Sequence, residues 1–331
     1  MVAAVPLVAT AAPPLWAIGL DVGGTKIAGG LVAIDSGEVR DRLVIPTNPE
    51  RGGAAVLADA ATMATDLAAT ASARGDAISG VGIAVAELVD VRGQVRSAHR
   101  IAWREVPVAD RFTGIAPATV ESDVRAAALA EARYGSGWPF ALFAYITVGT
   151  GISSCLVQDG RPYAGARGGA LVLASGALSV PCDGCGAETR FILEEFAAGP
   201  ALVSRYNARS SYDVTRAEEV LAKATEGDTV AAEIAGSAAD ALGSSTGFLV
   251  NLLDPEAIIV GGGLGLAMGL YRERFVTATR RHVWNAAARD LPILSAGLGV
   301  DAALIGAAAA SVVRAGDLCS GRSLSRSREG R

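Results

Sequence analysis

An α/β chain folded as two lobes on one repeated plan is what the sequence predicts, and three observations carry that reading. The chain has 331 residues, more than one usual domain holds. Its composition, 51% hydrophobic and 5% aromatic, is that of an ordinary α/β protein with a sizeable core. A strand, a Gly/Thr tip and a returning strand occur twice, at Asp21-Val22-Gly23-Gly24-Thr25 and at Thr147-Val148-Gly149-Thr150-Gly151, about 125 residues apart.

The elements follow in order. Residues 15–20 and 27–34 are apolar runs around a Gly-Gly turn and read as a β-hairpin. A third strand is expected over 37–45, then a helix over 54–73 in which Val56, Met63 and Leu67 recur near helical spacing. Residues 78–88 read as a buried strand ending at Ala86-Glu87, and 90–95 as a turn and strand. Trp103 falls in a loop at 99–107. A short strand at 118–120 stops at Glu121-Ser122-Asp123, and 124–134 turns helical. The second strand pair spans 140–148 and 152–157. Helices are expected over 189–198, 200–207, 216–225 and 229–253, a strand over 257–260, a helix over 268–283, a strand over 292–296 and a helix over 302–313.

A formal net charge of −5 leaves no basic surface of the kind polynucleotides need, so no nucleic-acid partner is expected. A single nucleotide needs only local donors. No run of 18 or more apolar residues goes uninterrupted by charge or glycine, so no membrane span is expected. The apolar start, residues 1–14, has no Lys or Arg and does not read as a secretory signal. Four cysteines are too few and too scattered for a disulfide framework, and a reducing, cytoplasmic setting suits them.

Two successive glycines let backbone N–H groups converge on one point with no Cβ in the way, which makes an anion cradle. Around Gly23-Gly24, Thr25 and Lys26 add donors, and Asp21 at the strand end can hold a magnesium ion through water. Taken alone, the stretch fits an ordinary Gly-Gly hairpin equally well. Two other phosphate motifs fail on spacing. A P-loop leads into a helix, whereas Lys26 opens a strand. The dinucleotide fingerprint needs a last glycine where Leu266 or Met268 stands.

Hairpin, second Gly/Thr tip and late Gly261-Gly262-Gly263 together resemble the sugar-kinase branch of the actin-like ATPase superfamily, and within it the ROK family (repressors, open reading frames, kinases), over residues 15–314. The resemblance implies a two-lobed actin-like ATPase (ribonuclease H-like) fold with duplicated βββαβαβα lobes. It implies one lobe of residues 1–121 plus 300–316, a second of 122–299 and a disordered tail at 317–331. Asp21, Gly23, Gly24, Thr25 and Lys26 become the first phosphate motif, Gly149, Thr150 and Gly151 the second, and Gly261, Gly262 and Gly263 the adenosine motif. ATP and Mg2+ are then the cofactors, and a homodimer is a family expectation. The family's catalytic aspartate, in an Asn-Asp pair ahead of an alanine-rich helix, falls on Ser122-Asp123. A sugar hydroxyl attacks phosphorus poorly until a base takes its proton, which is why a carboxylate is needed there. On its own, an Asp at a strand-to-helix junction reads more readily as a helix N-cap, and it is the constellation that favours the base.

Departures from the family cluster at the sugar site. The Glu-x-Gly-His that follows a Gly-Ala-x-Gly run becomes Val172 and Ser175, counted from Gly165-Ala166-Arg167-Gly168. A Pro-Gly becomes Ala86-Glu87, and the Asn of the Asn-Asp pair is Ser122. Of the family's zinc cysteines Cys182 and Cys185 are in place, Ile192 stands near the last, and no zinc is expected. Glu194 and Glu195 are candidates for the family's remaining sugar-contacting glutamate or else solvated helix carboxylates, Glu87 is a candidate replacement anchor or else a turn carboxylate, and Ser122 and Asp123 complete the expected substrate contacts. Each unmade buried hydrogen bond costs a substrate about 1–3 kcal/mol. The acceptor is therefore expected to be a small-molecule polyol other than plainly presented glucose: a C7-cyclitol of the 2-epi-5-epi-valiolone type or a modified hexose. A glucokinase-type hexose kinase and a non-catalytic ligand-binding or regulatory protein are the alternatives. Family repressors carry an N-terminal helix-turn-helix, and here Leu15 already opens the first strand, so DNA-binding repression is not expected.

Overall fold

Seven residues leading into the Gly-Gly turn form strand β1 (Trp16–Val22), and the chain returns antiparallel as β2 (Lys26–Ala33), with Val22 opposite Ile27. The computed structural model describes residues 14–181, 186 and 188–320. Strand β3 (Val39–Pro46) pairs with β2, and after helix α1 (Gly53–Arg74) strand β4 (Ile78–Val85) comes in parallel beside β1. Strand β5 (Ala118–Ser122) pairs in parallel with β4 and completes the order β3-β2-β1-β4-β5. Helix α1 buries Val56, Met63 and Leu67 in one cluster with Ile18, Leu20 and Ile83, which is the face its spacing predicts.

The plan then repeats. After helix α2 (Asp123–Tyr134), strands β6 (Leu142–Val148), β7 (Ile152–Gln158) and β8 (Arg161–Pro162) form an antiparallel meander. Beyond a two-stranded unit, β9 (Ala177–Pro181) and β10 (Glu188–Ile192), come helices α3 (Leu193–Ala197), α4 (Gly199–Asn207), α5 (Ala217–Thr225) and α6 (Thr229–Leu253). Strand β11 (Ala257–Gly261) joins β6 in parallel, helix α7 (Leu270–His282) follows, and β12 (Ile293–Ser295) pairs in parallel with β11. The order β8-β7-β6-β11-β12 copies the first sheet strand for strand, so the duplication read from the two glycine tips is a duplication of topology.

Helices α2 and α8 (Ala302–Ser320) join the halves. Helix α2 follows the first sheet in the chain yet buries Ala127, Ala128 and Ala132 with Phe143 and Ile259 of the second. Helix α8 follows the second sheet yet buries Leu304, Ile305 and Ala308 with Ala17 and Val32 of the first. Small residues let both lie close. A Cβ on Gly82 would meet the Ala307 carbonyl oxygen at 1.8 Å, and one on Gly306 would meet that of Ala126 at 1.7 Å. The alanine-rich composition of both helices thus has a packing reason.

The structure corrects one element. The expected helix over 189–198 begins as strand: β10 pairs Phe191 with Leu178 and Ile192 with Ala177 before the short α3 starts at Leu193. Thr189, Phe191 and Ile192 are β-branched or aromatic, and a partner strand satisfies their backbone better than a helix turn does. Among the described residues, no helix is long and apolar enough to cross a membrane.

Candidate active site

The register of the first sheet sets Val22, Val85 and Ser122 abreast at the carboxyl ends of three adjacent strands. Asp21 stands one residue before this line, Asp123 one residue after it and Glu87 two after it; these three carboxylates share the edge with Glu121, which lies level with Asp21 and is paired by Arg125. Such an edge is where open parallel sheets bind ligands. Burial, then the charge of Asp123, pushes Asp21 up to about 7, with Asp301 adding to the rise and Lys26 opposing it. Burial, with the charge of Glu87, pushes Asp123 up to about 6 against the lowering pull of the Val124 N–H and of Arg125. Asp123 is not the helix N-cap: Ser122 holds that position and makes no side-chain cap, while Asp123 Oδ1 accepts from Val124 N at 2.6 Å. The hydroxyl of Ser122 is buried and, among the described residues, has no hydrogen-bond partner.

Glu87 has a different occupation. One of its oxygens accepts from Ser97 Oγ and from His99 N at 2.9 Å, the other from Arg100 N and from Ile101 N at 2.8 Å. Burial alone would raise this carboxyl, but the four donors prevail and hold it below the usual range. Read from the sequence as an anchor for substrate, the side chain instead organises the 97–101 segment above the strand ends.

The corresponding ends of the second sheet carry glycine. Gly149 N donates to Gly151 O at 2.9 Å across the tip, and Gly149 O accepts from Gly199 N at 2.8 Å. Gly262 has φ +80°, and a Cβ there would meet the Val148 carbonyl oxygen at 2.3 Å, so the turn admits no side chain. Val148 O accepts from both Leu264 N and Gly265 N at 3.0 Å. A Cβ on Gly149 would stand 3.9 Å from Gly263 N: the structure brings the second and third glycine motifs against each other. Glu194, the other candidate anchor, accepts from Ile152 N at 2.8 Å and braces this second hairpin. Glu195 reaches back to Ile192 N at 3.3 Å.

Sequence reasoning missed Arg125. It lies buried on α2, donating from Nε to Glu121, from Nη1 to Gly168 O at 2.6 Å and from Nη2 to Val89 O at 2.7 Å. It ties the loop after β4 to the loop after β8, one from each sheet, just beyond Asp123. The available signal was a single arginine in a run of alanines. On the far loop Val172 is exposed, and Ser175 Oγ donates to Val172 O at 2.9 Å. A cavity of about 610 Å³ between this turn and α6 includes Val172, Ser175, Phe248 and His282 in its wall but none of the three carboxylates; charge rather than volume locates the chemistry.

Among the described residues, no cluster of three or more His, Cys, Asp or Glu could hold a metal ion, and Cys182 and Cys185 lie outside those residues. Magnesium makes lesser demands. It takes one or two carboxylates and completes its shell with water and phosphate oxygens. Asp21, strained upward by Asp123, suits such an ion.

The ROK family model matches residues 17–312. The glucokinase of Streptomyces coelicolor is 31% identical over 315 residues, spanning 88% of this chain and 96% of its own. The structure of a ROK family glucokinase from Streptomyces griseus, in complex with glucose and AMPPNP, superposes with a TM-score of 0.74 at 30% identity, covering 90% of this chain and 99% of that one. A ROK hexokinase from Thermus thermophilus superposes equally, with a TM-score of 0.74 at 30% identity over 92% of this chain and all of its own.

Proposed function

Since this chain belongs to the ROK family, we propose that it is an ATP-dependent kinase that phosphorylates a hydroxyl of a sugar or a sugar-like cyclitol. The observation that carries the reading is the edge of the first sheet, where Asp21 and Asp123 stand at adjacent strand ends beside a glycine hairpin, each carboxyl pushed up by burial. Asp123 is the general base. The acceptor oxygen bonds to the γ-phosphorus, the bond from that phosphorus to the β,γ-bridging oxygen breaks, its electron pair leaves with ADP, and the acceptor proton passes to Asp123. A base with a pKa near 6 is ionised at neutral pH and close enough to that pH to take a proton readily.

Backbone N–H groups of Gly24 and Thr25, with Lys26, hold phosphate from the first sheet, and those of Thr150 and Gly151 hold it from the second, while the N–H groups of Gly23 and Gly149 close the two turns on Lys26 O and Gly151 O. Gly261, Gly262 and Gly263 give the adenosine room. Asp21 would hold magnesium through water, and the ion would neutralise phosphate charge. Ser122, with its unpartnered hydroxyl, offers the acceptor a hydrogen bond. Glu87 and Glu194 serve the substrate indirectly, by holding the loops around it. The lobes, 1–121 with 300–316 and 122–299, close on the ligands as α8 and α2 slide. That α8 packs on the first sheet and α2 on the second supports this division.

Val172 and Ser175 offer an acceptor neither a carboxylate nor an imidazole, and this favours a C7-cyclitol or a modified hexose over plainly presented glucose. The glucose-binding S. griseus relative favours glucose itself, as a glucokinase-type reading requires. Changes that cluster at the sugar side, at Val172, Ser175, Ala86-Glu87 and Ser122, while the nucleotide motifs and Asp123 stand, argue against a non-catalytic protein. Magnesium-dependent ADP release with hexoses, amino sugars and C7-cyclitols tests the proposal. Turnover with a cyclitol or modified hexose at a kcat/KM above that of glucose is expected. Glucose as the best acceptor restores the glucokinase reading, and AMPPNP binding with no turnover on any member of the panel means the chain is no kinase of this class.

A further inference from the structure

Glu87 has no part in the transfer, yet four donors converge on it, and what they hold in place carries an inference that rests on the kinase reading. The segment they fix, 97–101, passes directly over the first glycine hairpin. A Cβ on Gly24 would stand 3.5 Å from both Cβ and Cδ of Arg100 and 3.7 Å from its Cγ. The methylenes of Arg100 therefore lie along the tip that holds the phosphates. Its guanidinium has no ion-pair partner among the described residues, although Asp21, Glu87 and Asp123 share the same edge. Its neighbours differ: Arg96 pairs with Asp90, and Arg125 with Glu121.

We propose that Arg100 contacts the terminal phosphate of ATP and the charge that grows on it during transfer. A guanidinium is planar, always protonated and forked, and so meets two phosphoryl oxygens at once. It donates hydrogen bonds and takes no proton, so the proton still goes to Asp123 and the electron pair to ADP. Its value depends on being in place before the reaction, which is what the Glu87 contacts to the Arg100 and Ile101 backbone provide. Lys26 and the hairpin amides serve the phosphates from the strand side, and Arg100 from above.

The test compares AMPPNP and ADP, each with magnesium, binding to the full chain and to its Arg100→Ala and Arg100→Lys variants by titration calorimetry. Arg100 is exposed and its guanidinium unpaired, so both variants are expected to fold, with melting temperatures within about 2 °C of the parent. Arg100→Ala should weaken AMPPNP about tenfold or more and ADP less than about twofold, with Arg100→Lys between. With the acceptor found in the panel, kcat should fall about 10²- to 10³-fold. Equal weakening of both nucleotides, or of neither, overturns the assignment. So does a raised acceptor KM at unchanged nucleotide affinity, which would put the guanidinium on the acceptor. A parent chain that binds neither nucleotide sinks the kinase reading and this inference together. A parent that discriminates AMPPNP from ADP, with an Arg100→Ala variant that does so equally, sinks the inference alone.

Discussion

Strand β1 places Asp21 two residues before a glycine turn, and the matching strand β6 places Thr147 two residues before another. The backbones agree, since the two sheets share one strand order. The side chains do not. Asp21, Glu87, Glu121 and Asp123 put four carboxylates on the strand ends of the first sheet, whereas the ends of the second carry Gly149, Gly151, Gly261 and Gly262. Carboxylates reach the second set from helices instead: Glu194 on α3 braces Ile152 N, and Glu218 on α5 lies 3.9 Å from where a Gly263 Cβ would be. On the proposed kinase reading, one duplicated scaffold is divided into a half that would handle protons and metal and a half that offers backbone and space. The division makes physical sense, because a carboxylate beside the phosphates is tolerable only where a cation or a proton offsets it.

Removing the base breaks the comparison most severely. Asp123→Asn keeps the size of the side chain and its place at the start of α2 but cannot take a proton. Turnover should fall about 10²- to 10⁴-fold, while AMPPNP affinity, read by calorimetry, changes less than about threefold. A rate close to that of the parent would place the base elsewhere. The second half should fail in the opposite sense. Gly262→Ala puts a Cβ against the Val148 carbonyl oxygen at a φ of +80°, and both the strain and the clash fall on backbone that cannot step aside. Nucleotide affinity should drop about tenfold or more while the pH midpoint of kcat stays where it is. If that midpoint moves as well, the two halves are coupled more tightly than the division allows.

The pH profile sharpens the comparison further. As the proposed base Asp123 works only when ionised, so kcat/KM for the acceptor, which reports the free enzyme, should fall about tenfold per unit as pH drops below about 6, and level off above it. A limb centred near 4 would mean that burial does not act on the base as described.

How much of this could be read beforehand follows the reach of each signal. The glycine tips, Asp21 and Asp123 were legible because each depends on a strand end and the few residues after it, and because the tips recur. Arg125 was not, since its partners Val89 and Gly168 lie 36 and 43 residues away and nothing local marks them. Glu87 was noticed, but sequence could not choose between an anchor and a turn carboxylate, because only the fold of 97–101 back over it reveals four donors. Arg100 went unseen for the same reason, its importance lying wholly in the approach of one loop to another. Strand β10 was taken for helix because it runs straight into the helical residues 193–197, and the Asp183-Gly184 between it and β9 was not weighed as a turn. Strand β8, two residues long, offers no period to detect.

The smallest expected effect concerns folding. Burial pushes Asp123 up to about 6 and Asp21 up to about 7 from an ordinary carboxyl value of 3.8, so between about pH 4 and pH 7 the folded chain binds protons that the unfolded chain has released. That makes stability fall as pH rises through this window, the reverse of a carboxylate held in a salt bridge. Replacing Asp123 by Asn removes its share of the loss and also one of the charges that raise Asp21. Asp123→Asn should therefore be more stable than the parent at pH 8, by about 1–2 kcal/mol once partial solvent exposure is allowed for, and nearly equal to it at pH 4. Denaturant unfolding at the two pH values measures it. A variant less stable at pH 8 would show that Asp123 is held by hydrogen bonds more than it is opposed by burial and by its neighbours. In that case the carboxylate edge would belong to the scaffold rather than to the chemistry.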